Sequence, residues 1–324
     1  MSGEFSREVK MERYLITGGN GFIGAFVARL LLKNGNEVVT FNVDPDRSHL
    51  LRVLAPEDYK RLVFVLGDVT DLSHLIRTCQ QYQIDKIIHM AGLLSIDASA
   101  NPIAAVKVNI EGTVNVFDAA RILNLKRVVY ASTLGVFGTP EKRGNEYIKN
   151  DSPQAPANIY AAAKTFNEVC AAHYTNQWGL DTIGLRYSFV YGEGQTRGFT
   201  GALTQELFEN PVLGKPGKLP YTEENVSWMY VEDAARATFL ASQVAKTKTR
   251  AFSVDGYLCS IREVIAIVQK LIPGADITLL DTPAPLVNNY DCTPAREELG
   301  YVPQWTVEQG IERLVGYLKK VHNR

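Results

Sequence analysis

The chain has 324 residues, of which 46% are hydrophobic and 21% are charged, and its formal net charge is −1. This is the composition of an ordinary globular protein, long enough to bury a full core or two lobes. The near-neutral charge provides no basic field for nucleic acid, and no apolar run reaches the length of a membrane span. We therefore expect a small molecule, and neither nucleic acid nor a membrane, as the partner.

The cysteines are far apart and form no Cys-x-x-Cys pair. They are Cys79, Cys170, Cys259 and Cys292. This spacing favours buried thiols in a reducing compartment over disulfides or zinc, so we expect a cytoplasmic protein without a metal. Residues 1–10 lack the apolar stretch of a secretory signal, and we interpret them as a leader ahead of Met11.

A glycine-rich turn follows the first predicted strand. Tyr14-Leu15-Ile16 is apolar and β-prone, and Gly18 and Gly21 then let the backbone turn tightly and approach a diphosphate. Gly24 allows close packing of the next helix, Phe22–Lys33, whose N-terminus presents free N–H groups to phosphate. Strand, turn and helix together predict a dinucleotide site.

Strands and helices continue to alternate through the first half of the chain. The further predicted strands are Val38–Val43, Leu62–Leu66, Lys86–Met90, Arg127–Ala131 and Asp181–Tyr187. Long helices are predicted after Pro102, with Val106, Ile110, Val114, Phe117 and Ala120 facing inward, and at Asn158–Trp178. Alternation of this kind predicts an α/β fold, a doubly wound parallel Rossmann sheet with ligands at the carboxyl ends of its strands.

The alternating pattern ends after Tyr187, and a smaller C-terminal substrate lobe is predicted there. The expected NAD(P)-binding domain covers 11–187 with returning segments near 227–256, and the expected lobe covers 188–226 and 257–324. Glu232 and Asp233 are expected to cap a helix at Ala234. Capping boxes are predicted at Ser260-x-x-Glu263 and Thr306-x-x-Gln309.

Tyr160 and Lys164 are separated by four residues on a predicted helix and therefore share a face. An ammonium ion and an oxidised nicotinamide both favour the phenolate of a nearby tyrosine, which then takes a hydroxyl proton as hydride leaves the same carbon. A hydroxyl at the end of the strand Tyr130–Thr133 donates to the substrate oxygen, and we choose Thr133 over Ser132.

These residues carry a family resemblance. The chain resembles the extended short-chain dehydrogenase/reductases, also called the NAD-dependent epimerase/dehydratase family, over nearly all of Met11–Tyr317. The motifs are Gly18-x-x-Gly21-x-x-Gly24, Gly67-Asp68-Val69, His89-x-Ala91-Gly92, Asn109-x-x-Gly112-Thr113, Ser132-Thr133, Tyr160-x-x-x-Lys164, Arg186, Val231-x-Asp233, and Asp291 through Pro303.

The resemblance implies a catalytic set of Thr133, Tyr160 and Lys164, with NAD as the cofactor. It also implies a homodimer formed through the two long helices. The expected cofactor-binding residues are Gly18, Gly21, Phe22, Ile23, Gly24, Asn42, Asp44, Asp68, Val69, Met90, Ala91, Gly92, Asn109, Tyr160, Lys164, Tyr187 and Ser188.

The sequence departs from two branches of that family. Dehydratases carry Asp-Glu after the catalytic threonine, where this chain has Leu134 and Gly135, so a 4,6-dehydratase is not expected. UDP-sugar epimerases anchor the diphosphate and uridine with polar groups, but the matching places here are Phe189, Val226 and, by a loose loop alignment, Asp281. A diphosphate buried without cations is costly.

An apolar substrate site is therefore expected, and residues 186–194 are closer to the hydroxysteroid and flavanone-type reductase branch. The expected substrate residues are Leu94, Ser95, Thr133, Leu134, Phe189 and Trp228, with Phe137 nearby. The alternative is that the apolar residues belong to the core and that other cations, such as Arg197 or Lys215, anchor a diphosphate.

The residue that reads the cofactor ribose is Asn42, where NAD-specific relatives carry Asp. An asparagine can bond the ribose but does not repel a 2′-phosphate. Asp44 could restore that repulsion, whereas Arg47 could receive the phosphate. We favour NAD, with NADP as the alternative.

The predicted function is an NAD(P)-dependent dehydrogenase or ketoreductase that interconverts a secondary alcohol and a ketone on a small, partly apolar substrate. The first alternative is a nucleotide-sugar 4-epimerase, which retains its NAD. The second is a dinucleotide-sensing regulator, which the intact Tyr160 and Lys164 disfavour. Exchangeable cofactor would favour the dehydrogenase, and tightly retained cofactor the epimerase.

Overall fold

A computed structural model describes residues 11–139, 147–220, 225–280, 282 and 289–323 of the chain. The expected leader at residues 1–10 and Asp281 lie outside these ranges. The described strands are β1 (Arg13–Thr17), β2 (Glu37–Asn42), β3 (Val63–Leu66), β4 (Lys86–His89), β5 (Arg127–Thr133), β6 (Thr182–Tyr187), β7 (Phe189–Tyr191), β8 (Gly217–Leu219), β9 (Asn225–Tyr230), β10 (Ala251–Val254), β11 (Tyr257–Ser260) and β12 (Ile277–Leu279).

Helices precede or follow most of these strands. The described helices are α1 (Phe22–Lys33), α2 (Ser48–Val53), α3 (Pro56–Arg61), α4 (Leu72–Gln81), α5 (Ser95–Ala100), α6 (Pro102–Ala105), α7 (Gly112–Ile122), α8 (Ile159–Trp178), α9 (Gly198–Thr204), α10 (Asn210–Val212), α11 (Val231–Gln243), α12 (Ile261–Leu271), α13 (Thr293–Leu299) and α14 (Val307–Val321). Two π-helical turns, Val106–Glu111 and Gln205–Glu209, and a 3₁₀ turn, Leu134–Phe137, complete the set.

The central sheet confirms the predicted doubly wound α/β fold. Among the described residues its seven strands follow the order β3-β2-β1-β4-β5-β6-β10, and every neighbouring pair is parallel. The order reverses beside β1, so the carboxyl ends of β1 and β4 form the crevice in which such sheets bind ligands. The glycine-rich turn lies at this crevice.

The chain leaves the sheet after β6 and returns to it at β10. The intervening and following segments form two small sheets, β11-β9-β7 and β12-β8. One buried apolar cluster runs from α1 through β6 and β9 to α14, so both parts of the chain share a continuous core. The division of the chain into a sheet domain and a smaller lobe stays a prediction.

The helix predicted after Pro102 is not regular. A π-helical turn at Val106–Glu111 separates α6 from α7. The expectation that Val106 faces inward is wrong, since half of its surface is exposed, whereas Phe117 and Ala120 are fully buried. The extra residue in a π-helical turn rotates the residues before it relative to those after it.

The predicted helix caps are confirmed at two of three places. Ser260 with Glu263 and Thr306 with Gln309 form reciprocal capping boxes at α12 and α14. The cap expected from Asp233 is wrong. Its carboxylate instead accepts hydrogen bonds from the backbone N–H groups of Gln304 and Trp305, at 2.9 and 3.1 Å, and so holds the segment before α14 against α11.

Two features are absent from the described ranges. There, no helix combines the length and the apolar character that a membrane crossing requires. No group of three or more His, Cys, Asp or Glu side chains is arranged to hold a metal ion in that part of the chain. The four cysteines are free thiols.

Candidate active site

The glycine-rich turn has the geometry that a bound diphosphate requires. Gly18 has φ +68°, and a Cβ on it would lie 2.8 Å from the backbone N of Ala91. A Cβ on Gly24 would overlap the carbonyl oxygen of Gly18. No side chain caps the first N–H groups of α1, which begins directly after Gly21. These donors and the positive end of the helix fit phosphate oxygens.

The ribose end of the cleft is shaped by two asparagines. The backbone N–H of Asn20 donates to Oδ1 of Asn42 at 3.0 Å, while the side chain of Asn20 donates to the carbonyl oxygens of Asp44 and Asp46. Asn42 is 4% exposed, and its Nδ2 is buried without a hydrogen-bond partner among the residues that the structure describes. Such an orphaned donor is costly unless a ligand oxygen accepts from it, which fits a ribose.

The predicted adenine-side residues lie beside this end of the sheet. Asp68 is exposed and accepts from the backbone N–H of Thr70 at 2.9 Å. Val69 is buried, and Asn115 donates to its carbonyl oxygen. The guanidinium of Arg47 lies 4.0 Å from the centre of the Phe64 ring, on the neighbouring strand β3. An apolar wall with polar backbone at its rim suits a purine ring.

Gly92, Asn109 and Lys164 meet at the end of β4. A Cβ on Gly92 would lie 3.1 Å from Oδ1 of Asn109 and 3.8 Å from Nζ of Lys164. The Asn109 amide accepts from the backbone N–H of Leu93 and donates to its carbonyl oxygen. Asn109 therefore fixes the backbone that follows Met90 and Ala91.

A buried polar chain lies beneath this point. Thr113 donates its hydroxyl to the carbonyl oxygen of Asn109, so it can only accept from Nε2 of His89, at 3.0 Å. Nδ1 of His89 then accepts from the hydroxyl of Thr17 at 2.7 Å. Burial, with a smaller effect of the Lys164 charge, lowers the pKa of His89 to about 3. His89 is thus a neutral structural imidazole.

Tyr160 and Lys164 share one face at the start of α8. The ammonium nitrogen of Lys164 lies 5.7 Å from the centre of the Tyr160 ring. Burial raises the pKa of Tyr160 to about 12 and lowers that of Lys164 to about 8. In the protein alone the phenol is therefore neutral at pH 7. A positive charge brought beside it would favour the phenolate and oppose the effect of burial.

The hydroxyls of Ser132 and Thr133 have different partners. Ser132 donates to Glu168 at 2.6 Å, inside the protein. Thr133 accepts from the backbone N–H of Gly135 at 3.1 Å and still has its own hydrogen to donate. A Cβ on Gly135 would lie within 4 Å of both the Thr133 hydroxyl and Ala161, the residue after Tyr160. This placement supports Thr133 as the donor at the site.

The predicted substrate residues divide into two groups. Leu94 and Ser95 are partly exposed at the start of α5, and a Cβ on Gly198 would lie 2.9 Å from Cδ1 of Leu94. Trp228 is 1% exposed, packs on Phe189 and donates its N–H to the carbonyl oxygen of Cys259. The structure therefore places Trp228 in the core, as in the alternative that the apolar residues are core residues and do not contact substrate.

Leu134 and Phe189 are also buried, with about a twentieth of their surface exposed. Tyr187 directs its hydroxyl to Thr238 in the interior, at 2.7 Å. Ser188 has a buried hydroxyl with no partner among the described residues, as a ligand-binding group would. Ser188, one of the predicted cofactor-binding residues, therefore keeps a hydrogen-bonding capacity that a ligand contact needs.

Three residues of the site escaped sequence reasoning. Asn20 orients the Asn42 amide. Asn167 donates hydrogen bonds to both Asn109 and Thr113, and the Glu168 carboxylate accepts one from the Ser132 hydroxyl. The spacing of Glu168 four residues after Lys164 was a usable signal, because it places the carboxyl on the same side of α8. The roles of Asn20 and Asn167 depend on contacts between residues distant in sequence.

Comparison with known proteins identifies the family. The profile of the NAD-dependent epimerase/dehydratase family matches residues 14–254, which include the glycine-rich turn and the Tyr160–Lys164 pair. The chain belongs to this family. Its cofactor is NAD, and the glycine cradle, the helix N-terminus and the orphaned amide of Asn42 fit that molecule.

Named relatives catalyse more than one reaction. The chain is 28% identical to a UDP-glucose 4-epimerase of Mycolicibacterium smegmatis, over 95% of this chain and 98% of that protein. A UDP-glucose 4-epimerase of Thermus thermophilus in complex with NAD is 25% identical, with a TM-score of 0.80 over 95% and 99% of the two chains. An L-threonine dehydrogenase of Clostridium difficile, at 22% identity, has the same fold, with a TM-score of 0.80 over 96% and 98%.

Proposed function

We propose that the protein is an NAD-dependent dehydrogenase or ketoreductase that interconverts a secondary alcohol and a ketone. The observation that carries this proposal is the pairing of an intact Thr133, Tyr160 and Lys164 set with an apolar Val226. Val226 is 1% exposed and pairs with Cys259 between β9 and β11. In the UDP-sugar enzymes of the resemblance, this position carries an arginine.

Neither of two described arginines offers a buried, free cation in its place. Arg186 is committed to Glu168, and Arg197 is largely exposed, 3.8 Å from the carboxylate of Asp44. The position aligned with a later phosphate-binding arginine, Asp281, lies outside the described residues. A diphosphate buried without a cation beside it is unfavourable.

Each catalytic residue then has a distinct task. NAD, when bound, would supply the hydride acceptor for the alcohol and the hydride donor for the ketone. Tyr160 removes the hydroxyl proton in oxidation and donates it in reduction, with its phenolate favoured by the Lys164 ammonium. Thr133 donates a hydrogen bond to the substrate oxygen and stabilises its developing charge. Asn42 and Lys164 hold the two riboses, and Ser188 contacts the ligand.

The substrate is expected to bind between the start of α5 and the start of α9, where Leu94 and Ser95 are accessible. Exposed apolar side chains on α6, on the π-helical turn after it and on α8 support a homodimer: Ile103, Val106, Phe166 and Val169. Val169→Glu should halve the particle mass measured by light scattering. The four free thiols support the cytoplasm as its compartment.

A second candidate function is nucleotide-sugar 4-epimerisation, because the relatives that share about a quarter of the sequence include UDP-sugar epimerases. The two candidate functions differ in whether a UDP-sugar, in addition to NAD, binds and stabilises the folded protein. A ligand present at 100 times its Kd adds about 2.7 kcal/mol of stability, which is readily seen in the melting temperature.

The test compares NAD with UDP and UDP-glucose in a thermal shift assay and analyses the nucleotide released by denaturation. We expect protection by NAD, no protection by millimolar UDP compounds, and stoichiometric NADH from secondary alcohols. Protection by UDP-glucose, together with an epimerised product and no net NADH, would replace the dehydrogenase proposal with the epimerase.

A further inference from the structure

One buried carboxylate beside the candidate site accepts four hydrogen bonds. Oε1 of Glu168 accepts from the Ser132 hydroxyl at 2.6 Å and from Nε of Arg186 at 2.9 Å. Oε2 accepts from Nη2 of Arg186 at 2.7 Å and from the Gln154 amide at 2.5 Å. Both carboxylate oxygens therefore have hydrogen-bond donors, and the Arg186–Glu168 ion pair is bidentate.

The donors come from separate parts of the fold. Ser132 on β5 and Arg186 on β6 are cross-strand neighbours, and Gln154 belongs to the segment that leads to α8. Nη1 of Arg186 also donates to the carbonyl oxygen of Asn150 at 2.7 Å in the same segment. The Glu168 carboxylate therefore joins two strand ends, the segment before the helix and the helix itself.

This group has a defined relation to the catalytic residues. Tyr160, Lys164 and Glu168 follow one another at intervals of four residues on α8. Ser132 directly precedes Thr133, so their side chains point to opposite faces of β5. A hydrogen bond that fixes Ser132 to the helix consequently fixes where Thr133 stands relative to Tyr160.

The group is also suited to hold a position rather than to react. Less than a tenth of the Glu168 and Arg186 side chains is exposed. The Arg186 guanidinium lies 4.9 Å from the centre of the Phe137 ring, which limits its movement on another side. Buried, fully paired charges are rigid, and separating them leaves an uncompensated charge.

We propose that Ser132, Glu168 and Arg186 are positioning residues that set the separation between the Thr133 hydroxyl and the Tyr160 phenol. They do not contact substrate or cofactor. The inference rests on the proposed roles of Thr133 and Tyr160, and it applies equally to oxidation of an alcohol and to epimerisation, since both use hydride transfer at a carbon bearing a hydroxyl.

Ser132→Ala is the decisive variant, because it removes one hydrogen bond and leaves the buried ion pair in place. A displacement of the donor by less than about 1 Å is enough to lower turnover by ten- to a hundredfold. We expect that loss in kcat per NAD-binding site, with the stoichiometry and Kd of NAD unchanged. We also expect a larger primary deuterium isotope effect, because hydride transfer becomes rate-limiting.

The matched control is Ser242→Ala, which removes a buried serine hydroxyl that donates to Phe239 at the far end of α11. It should leave kcat per site and the isotope effect unchanged. Arg186→Lys keeps the positive charge but loses the bidentate ion pair with Glu168, and it should reproduce the Ser132→Ala result.

A merely structural role would lower the number of NAD-binding sites in both serine variants and leave kcat per site intact. That result in Ser132→Ala would overturn the proposal. Failure of the proposed dehydrogenase function would instead be seen in the wild type, as the absence of NADH formation. The same variants would then be compared by epimerase turnover.

Discussion

The backbone N–H of Asn20 donates to Oδ1 of Asn42, which leaves the NH₂ group of Asn42 buried and without a partner among the described residues. Where an aspartate would accept a ribose hydroxyl and repel a phosphate, this chain presents a donor. The nearest carboxylate in sequence, Asp44, is half exposed and faces Arg197.

Cofactor selectivity should respond to these two side chains. Asn42→Asp should strengthen the preference for NADH over NADPH by tenfold or more, because a carboxylate repels the 2′-phosphate. Asp44→Ala should weaken that preference. Fluorescence titration of each variant with both reduced cofactors checks the prediction. Unchanged ratios of the two Kd values in both variants would show that neither residue reads the ribose.

Tyr160→Phe should lower turnover by about 10²–10⁴, the usual contribution of a positioned acid–base group. NAD affinity should hardly change, because the ring remains. Steady-state kinetics and NAD titration check both statements. The control is Tyr174→Phe, a buried phenol on the same helix, which should keep normal turnover. Near-normal activity of Tyr160→Phe would remove that residue from its assigned role.

Acid should destabilise the protein through His89. Its pKa is about 3 in the folded protein and about 6.5 when unfolded. Between these values the unfolded chain binds one more proton, so the free energy of unfolding falls by about 1.4 kcal/mol per pH unit as the pH is lowered. This contribution is complete above about pH 6.5 and is lost progressively toward pH 3.

His89→Gln does not titrate and should therefore show a correspondingly smaller pH slope, measured by urea unfolding across this range. The exposed His173 provides the control, since His173→Gln should keep the wild-type slope. Equal slopes for His89→Gln and the wild type would mean that His89 is not the residue responsible.

Residues 192–198 connect β7 to α9. A Cβ on Gly194 would overlap the ring of His49, which lies 3.4 Å from the carbonyl oxygen of Phe22 at the start of α1. A Cβ on Gly198, at the other end, would press on Leu94. The segment therefore lies between the start of α1 and the residue that precedes α5, and we expect it to cover the bound cofactor.

Gly194→Ala should displace this segment and speed release of NADH by about tenfold, since release from a covered cleft requires the cover to move. Stopped-flow displacement measures that rate. Gly214→Ala is the matched control, because Gly214 also has positive φ (+71°) but no neighbouring atom within 4 Å of its Cβ position. Equal release rates in the two variants would contradict this role.

The sequence was sufficient for the sheet and the turn because both depend on local patterns. Apolar runs at strand or helix spacing predict the strands and helices, and three spaced glycines predict the turn, each within a few residues of sequence. The π-helical turn before Gly112 depends instead on hydrogen bonds of Asn109: its side chain bonds the backbone of Leu93, and its carbonyl oxygen accepts from Asn167 on another helix. Such contacts join residues far apart in the chain, so no local pattern reports them.

The same limit applies to the site. The Tyr160–Lys164 pair is visible as a spacing, whereas the orientation of the Asn42 amide is set by Asn20, 22 residues away. Trp228 lies in a region without clear periodicity, so its residue type alone did not distinguish a ligand contact from a core position. The structure distinguishes them by the hydrogen bond from its indole N–H to Cys259.

Strand β10 pairs with β6 although more than sixty residues separate them in the chain, and all six residues of β6 are buried. A fragment ending at Tyr187 would retain the glycine-rich turn and the proposed catalytic residues but would expose β6 as an unpaired hydrophobic edge. Unpaired edges of this kind recruit other chains. The first half of the protein is therefore expected to aggregate when expressed alone, and the second region cannot be exchanged as a simple C-terminal cassette.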